Sequence, residues 1–449
     1  MKKSKNTIDM THGTLWNKIL LFALPLAASS ILQQLFNSVD TAVVGRFASS
    51  RALAAVGSTS SFISLMINLF IGISLGSNVV IAHYIGQKVE KNIQAAIHTA
   101  ITVALIGGCF VMILGQFIGR PVLILMGTPE DVIDLAVQYL RIYFLGMPFI
   151  LLYDFGSSIL RSTGDSRRPL YSLIVAGILN TVLNLILVIV FQMGVAGVAI
   201  ATVVSNIVSS GIVMWILMRE PEPVRFTPRK LMINGKELWK ILSIGVPAGL
   251  QGMVFSLANV CIQSTINSFG SDAVAGSAAA LNYEFFAYFI VNAFAQTTVT
   301  FTSQNYGAGE YDRCRKIFRI NMAFSMVFCG LLSAVFVLGR SFFLGLYTTD
   351  ASVLGYATTR LVIATTLELL TSTYEISGGA MRGLGHSLQP ALITVFGSCV
   401  LRLIWISTAC VAVHEFWVLI IIYPISWVVT GIIMIVSYLR LRKKMLTKN

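Results

Sequence analysis

Charged residues are scarce in this chain. They make up 11% of its 449 residues, where an average soluble chain carries about 25%. Hydrophobic residues reach 56% and the mean hydropathy is +0.79. No water-soluble fold hides that much apolar surface, so the composition implies a multi-pass membrane protein. Nucleotide and metal motifs are lacking too. There is no GxxxxGK[ST], which argues against ATP-driven transport by this chain, and no HExxH. The six cysteines (Cys109, Cys261, Cys314, Cys329, Cys399, Cys410) show no CxxC spacing. Most sit in apolar runs and read as small core residues rather than disulfide partners or zinc ligands. No cofactor, metal site or catalytic residue is expected. The N-terminal MKKSK is basic, but the apolar run that follows lacks a small-residue cleavage site, so no cleavable signal peptide is expected. The formal charge of +13 lies in short loops between apolar runs and does not indicate a nucleic-acid partner.

What is abundant is apolar sequence of membrane-spanning length. A hydrocarbon core about 30 Å thick needs roughly 20 apolar residues per helix. Twelve runs qualify: 16–45, 51–83, 92–118, 132–159, 168–192, 195–218, 238–268, 273–304, 317–340, 352–381, 389–411 and 416–439. The long first, second, seventh and eighth are the ones expected to bend. With both termini in the cytoplasm, the inner segments and adjoining span ends hold 25 of the 32 Lys and Arg. The outer loops keep Arg46, Arg51, Arg120 and Arg340, while Arg141, Arg360 and Arg402 fall inside spans. This is the positive-inside bias of an even-numbered plasma-membrane protein.

The chain repeats itself. YDFGSSILRSTGDSRRP (153–169) aligns with YEISGGAMRGLGHSLQP (374–390) at an offset of 221, and Pro25, Asn37 and Phe47 meet Pro247, Asn259 and Phe269 at 222. The expected fold class is all-α, with two parallel six-helix lobes related by a pseudo-two-fold along the membrane normal. The N-lobe is placed at 1–218, a proline-rich and basic cytoplasmic linker at 219–236, and the C-lobe at 237–449. Two such lobes suit alternating access.

Polar groups inside the spans point to the task. Gln33, Asn37 and Asp40 follow i, i+4, i+7 and share one helix face. A carboxylate near the bilayer centre costs about 2.5–3.5 kcal/mol on insertion scales and faces the protein interior or a water-filled cavity. Its repeat partner is Ile262, so the fold does not require an acid there. Asn180 and Asn184, one turn apart, and Thr202 offer oxygens for a monovalent cation or hydrogen bonds for a protonated Asp. Asp40, Asn180, Asn184 and Thr202 are therefore the candidate coupling-ion residues. Candidate substrate or gating residues are Gln34, Asn37, Asp154, Glu284, Glu375 and Arg402. Asp154 and Glu375 are repeat partners, which favours a structural pin at the inner span ends. Arg402 needs a negative partner, and Glu375 is expected to supply it, with Glu368 the other candidate. Arg141 and Arg360 are expected to snorkel to the outer surface.

Four segments together resemble the multidrug and toxic compound extrusion (MATE) family: VDTAVVGRF, ILRSTGDSRRP, GVAGVAIATVVSN and SQNYGAGE. The likeness runs from about Leu15 to Arg440 and is greatest to the bacterial DinF-like and MepA-like branch. The resemblance implies two six-helix lobes and cation-coupled antiport. Inward H⁺ or Na⁺ would drive efflux of organic cations, drugs or dyes, by a chain expected to act as a monomer among membrane lipids. It puts the family's first-helix acid on Asp40 and its fifth-span Asn on Asn180. Many members carry an Asp where this chain has Asn184, which removes a carboxylate and favours H⁺ over Na⁺. The seventh-span Glu of the Vibrio-type branch would fall at or near Phe255 and is missing. A lipid-linked saccharide flippase is the second reading, although its cavity would want more cationic groups. An intramembrane enzyme finds no motif.

Overall fold

The structure is a computed structural model that describes residues 7–445. The chain termini, expected on the cytoplasmic side, lie outside the described residues. The described residues are almost entirely helical: α1 Leu15–Phe47, α2 Ser50–Gln87, α3 Glu90–Leu125, α4 Glu130–Leu145, α5 Met147–Ser162, α6 Arg167–Asn184 and α7 Gly194–Arg219. After the linker come α8 Gly235–Asn267, α9 Ser271–Gly307, α10 Tyr311–Leu338, the short α11 Arg340–Gly345, α12 Ala351–Arg360, α13 Thr371–Gly383, α14 Leu388–Thr394, α15 Leu401–Ala412, α16 Phe416–Ile420 and α17 Ile422–Met445. Eleven spans are long and apolar enough to cross a membrane, or twelve when α4 and α5 count as one bent span. Outer faces are apolar. On α3, Ile106, Phe110, Ile113 and Phe117 recur at helical spacing and are all exposed, as a lipid-facing stripe must be.

The break falls where the sequence reading did not put it. α1 and α8 run through Pro25 and Pro247 without interruption, while α4 and α5 meet at 48°. The cause is local. Pro148 sits in the first turn of α5, where its missing N–H costs nothing and its fixed φ suits the start of a new helix. α3 packs onto the bend so closely that a Cβ at Gly108 would lie 2.5 Å from the Pro148 Cα. In the other repeat the same register, near 367, is broken by a 3₁₀ turn, Glu368–Leu370. π-helical turns extend α6 (Leu185–Val190), extend α12 (Leu361–Thr365) and join α14 to α15 (Val395–Val400).

The chain forms two compact units that exchange helix ends. One contains residues up to Asp9 and Ala28–Gly249; the other contains Met10–Ala27 and the chain from Leu250 on. The division thus falls inside α1 and α8, two or three residues after each proline, rather than at the linker. In the first unit the N-terminal half of α8 is fastened to α2 through four glycines. A Cβ at Gly72 would lie 2.1 Å from the Gly249 nitrogen, and one at Gly76 would lie 2.3 Å from the Ile241 oxygen. Gly245 and Gly249 show the same intolerance in return. GISLG and GVPAG are therefore facing GxxxG motifs, which let two backbones touch. The 219–236 segment is no loose tether. His98 Nε2 accepts from the Thr227 N–H at 3.2 Å, Thr99 Oγ1 accepts from the Asn234 N–H at 3.1 Å, and Phe226 is buried against the His98 ring.

In the second unit the residues leading into α1 are held by α9 and α10. Asn305 Nδ2 and Arg313 Nη2 both donate to the Met10 carbonyl at 3.1 Å, and Arg313 Nη1 donates to the Gly13 carbonyl at 3.0 Å. Asn305 belongs to SQNYGAGE, so part of that motif anchors the segment that leads into α1.

Candidate functional site

The first unit encloses a cavity of about 300 Å³ lined by α1, α2, the α4–α5 bend, α6 and α7. Asp40 reaches it from α1 with Gln33 and Asn37, so the i, i+4, i+7 stripe does face a cavity. Asn184 Nδ2 donates to Asp40 Oδ1 and, at 3.2 Å, to Asn180 Oδ1. Asn184 is fully buried, and its own Oδ1 has no hydrogen-bond partner among the described residues. Thr202 lines the cavity beside Asp40 while its hydroxyl donates to the Val198 carbonyl at 3.0 Å. Asp40, Asn180, Asn184 and Thr202 therefore come together. Gln34 does not join them; it does not line this cavity, and its carbonyl accepts from Ser38.

Asp154 lines the same cavity as Asp40, with Arg161 as its charged neighbour. Tyr143 lies within electrostatic reach of both acids, and Ser205, Asn206 and Ser209 complete the α7 wall. These were not singled out from sequence. The α7 group was readable: Thr202, Ser205, Asn206 and Ser209 follow 3–4 residue spacing. Tyr143 gave no comparable signal, because it depends on the bend at Gly146. The Phe36 ring fills the space that a side chain at Gly177 would need: a Cβ there would lie 1.8 Å from it.

The second unit has its own cavity, about 210 Å³, lined by Glu284, Arg360, Glu368, Arg402 and aromatic rings. Two sequence expectations fail here. Arg360 does not snorkel. It is 2% exposed, and its Nε and Nη2 donate to the two Glu284 oxygens at 2.7 and 2.9 Å. Its Nη1 donates to Ser277 Oγ. Arg402 does not pair with Glu375. Its Nε donates to Ser426 Oγ at 3.0 Å and its guanidinium lies 4.5 Å from the Tyr423 ring centre. Glu375 instead accepts from the Tyr288 hydroxyl at 3.1 Å and has Arg382 as its charged neighbour. π turns lie beside both arginines, at 361–365 and 395–400, and re-aim their side chains in a way that position along the span does not display. Asp154 with Arg161 and Glu375 with Arg382 are repeat-related, so this acid–base neighbourhood recurs in both units. Arg141 is exposed.

The repeat has a counterpart among known proteins. A family model described as MatE matches twice, at residues 25–186 and 247–406. The chain belongs to the MATE family. This MATE chain is 31% identical over 402 residues to the probable multidrug resistance protein YoeA of Bacillus subtilis, covering 88% of this chain and 85% of that one. It is 25% identical over 399 residues to the probable multidrug resistance protein NorM of Thermotoga maritima, covering 86% and 84%. Its fold matches a multidrug resistance MATE family transporter of the MOP superfamily in the outward-facing conformation. There the TM-score is 0.92 over 100% of both chains, at 22% identity. A MATE protein is a multi-pass membrane transporter of the multidrug-efflux class, not an enzyme.

Proposed function

We propose that this MATE protein exports amphiphilic organic cations in exchange for protons, and that Asp40 carries the proton. The observation behind this reading is the hydrogen-bonded chain Asp40–Asn184–Asn180, whose two ends line the first-unit cavity while Asn184 is buried behind them. An ionised Asp40 accepts from the Asn184 amide. A protonated Asp40 becomes a donor and needs an acceptor. Half a turn of the Asn184 amide would present its unpartnered Oδ1 to it. Taking up a proton thus exchanges one set of hydrogen bonds for another between α1 and α6. A bound ion shifts a conformational equilibrium only through different affinity for the two states, and this exchange supplies such a difference.

Sodium is the weaker fit. A hard monovalent ion wants several oxygens and often more than one carboxylate, and among Asp40, Asn180, Asn184 and Thr202 only Asp40 is an acid. Substrate would meet Asp154, Tyr143 and the Phe36 ring in the same cavity. We place the N-terminus on the cytoplasmic side, as the basic inner loops require. The named relatives are multidrug resistance proteins, and nothing favours the flippase reading. The test is dye efflux by Asp40→Asn in everted vesicles. Loss of pH-driven efflux at wild-type protein levels is expected; wild-type rates would overturn the assignment.

A further inference from the structure

The second-unit cavity carries charges that the proton mechanism does not use. Arg360 and Glu284 satisfy each other. Arg402 and Glu368 do not. Arg402 is 1% exposed, and its Nη2 has no hydrogen-bond partner among the described residues. Glu368 is 4% exposed. Arg402 and Arg360 are among its charged neighbours, yet it forms no ion pair among the described residues. Both groups line one cavity. A guanidinium nitrogen and a carboxylate, each withdrawn from water and left open, represent a cost that a complementary ligand would recover.

The placement is specific to this unit. At the repeat offset of 221, Arg402 falls on Thr181, Glu368 on Met147 and Arg360 on Tyr139. A packing requirement shared by both repeats is therefore excluded as the reason for these charges. The irregular helix turns gather at the same place. Arg360 precedes the π turn Leu361–Thr365, Glu368 opens the 3₁₀ turn, and Arg402 follows the π turn Val395–Val400. Such turns interrupt the regular ladder and re-aim side chains, frequently at functional sites.

The charges also define the ligand. With Arg360 and Glu284 paired, one open positive group and one open negative group remain. A net cation would be repelled by Arg402, and a net anion by Glu368. Around them stand Phe255, Tyr423, Tyr288 and Trp427, with the Arg402 guanidinium 5.6 Å from the Phe255 ring centre. We infer that this cavity binds small aromatic zwitterions. The ligand's anionic group meets Arg402 Nη2, its cationic group meets Glu368, and its ring lies among the aromatic side chains.

The inference concerns equilibrium binding and holds or fails independently of which ion drives transport. Three probes share one ring system: tryptophan is a zwitterion, tryptamine a cation and indole-3-propionate an anion. Binding of tritiated tryptophan to the purified full-length protein, with the other two as competitors, gives their relative affinities. Tryptophan should bind at least tenfold more tightly than either competitor. Arg402→Gln should weaken tryptophan about tenfold, consistent with one lost charge-assisted contact, and tighten tryptamine, which Arg402 repels. Glu368→Gln should weaken tryptophan by a similar factor and tighten indole-3-propionate, which Glu368 repels. If Arg402→Gln does not fold, the Glu368→Gln arm decides alone. No saturable binding, equal affinity for the three probes, or unchanged selectivity in the variants would overturn the inference.

Discussion

In the proposed mechanism, protonation of the Asp40 carboxylate exchanges the hydrogen bonds between α1 and α6. Asp40→Asn keeps the shape and can still bond Asn184, but it carries no exchangeable charge. We expect pH-driven efflux to fall to background while expression and folding persist, read as dye efflux alongside protein level. Glu284 and Arg360 behave differently, because each is the other's compensation. Replacing one alone leaves a buried charge and should destabilise by about 3–5 kcal/mol. Replacing both, Glu284→Gln with Arg360→Met, should cost much less than the sum. Thermal unfolding in detergent across the four proteins measures the coupling, and additive losses would contradict it. The sequence made Asp40, Asn180, Asn184 and Thr202 legible because a polar side chain in an apolar span is conspicuous. It did not give the partner of Arg402. Charge pairing depends on side-chain direction, and two π turns alter that direction without leaving a composition signal.

Among the helices, the contact most sensitive to substitution is α2 against the N-terminal half of α8. With four glycines facing each other, any Cβ there strikes backbone, which cannot yield as a flexible side chain can. Gly72→Val should therefore destabilise by at least about 1–3 kcal/mol, and Gly249→Val similarly; a melting temperature equal to wild type for both would refute the close approach. Gly177→Val should instead displace the Phe36 ring and change drug selectivity before stability, seen as a shift in relative efflux of dyes of different size. Span number was readable from hydropathy because a bilayer sets helix length. The bend between α4 and α5 was not foreseen, although Gly146 and Pro148 are plain in the sequence. Pro25 and Pro247 also lie within spans, and yet the helices run through both. Whether a helix tolerates a proline depends on what packs beside it, which one sequence does not display.

Over the whole molecule, the two repeats share a helix plan and differ in charge. One unit gathers Asp40 and Asp154 among amides and hydroxyls; the other gathers two acids and two arginines among aromatic rings. The repeat was legible through its 221–222 offset. The exchange of the α1 and α8 ends between units was not, since hydropathy reports that a helix spans and not which neighbours it keeps. The central claim is that one carboxylate couples efflux to protons. Its most direct test uses proteoliposomes loaded with a cationic dye substrate, at an imposed pH gradient in Na⁺-free buffer and then at fixed pH with a Na⁺ gradient alone. The account predicts robust transport in the first condition, none above background in the second, and loss of the first in Asp40→Asn. Transport driven by Na⁺ alone and none by the pH gradient would contradict it.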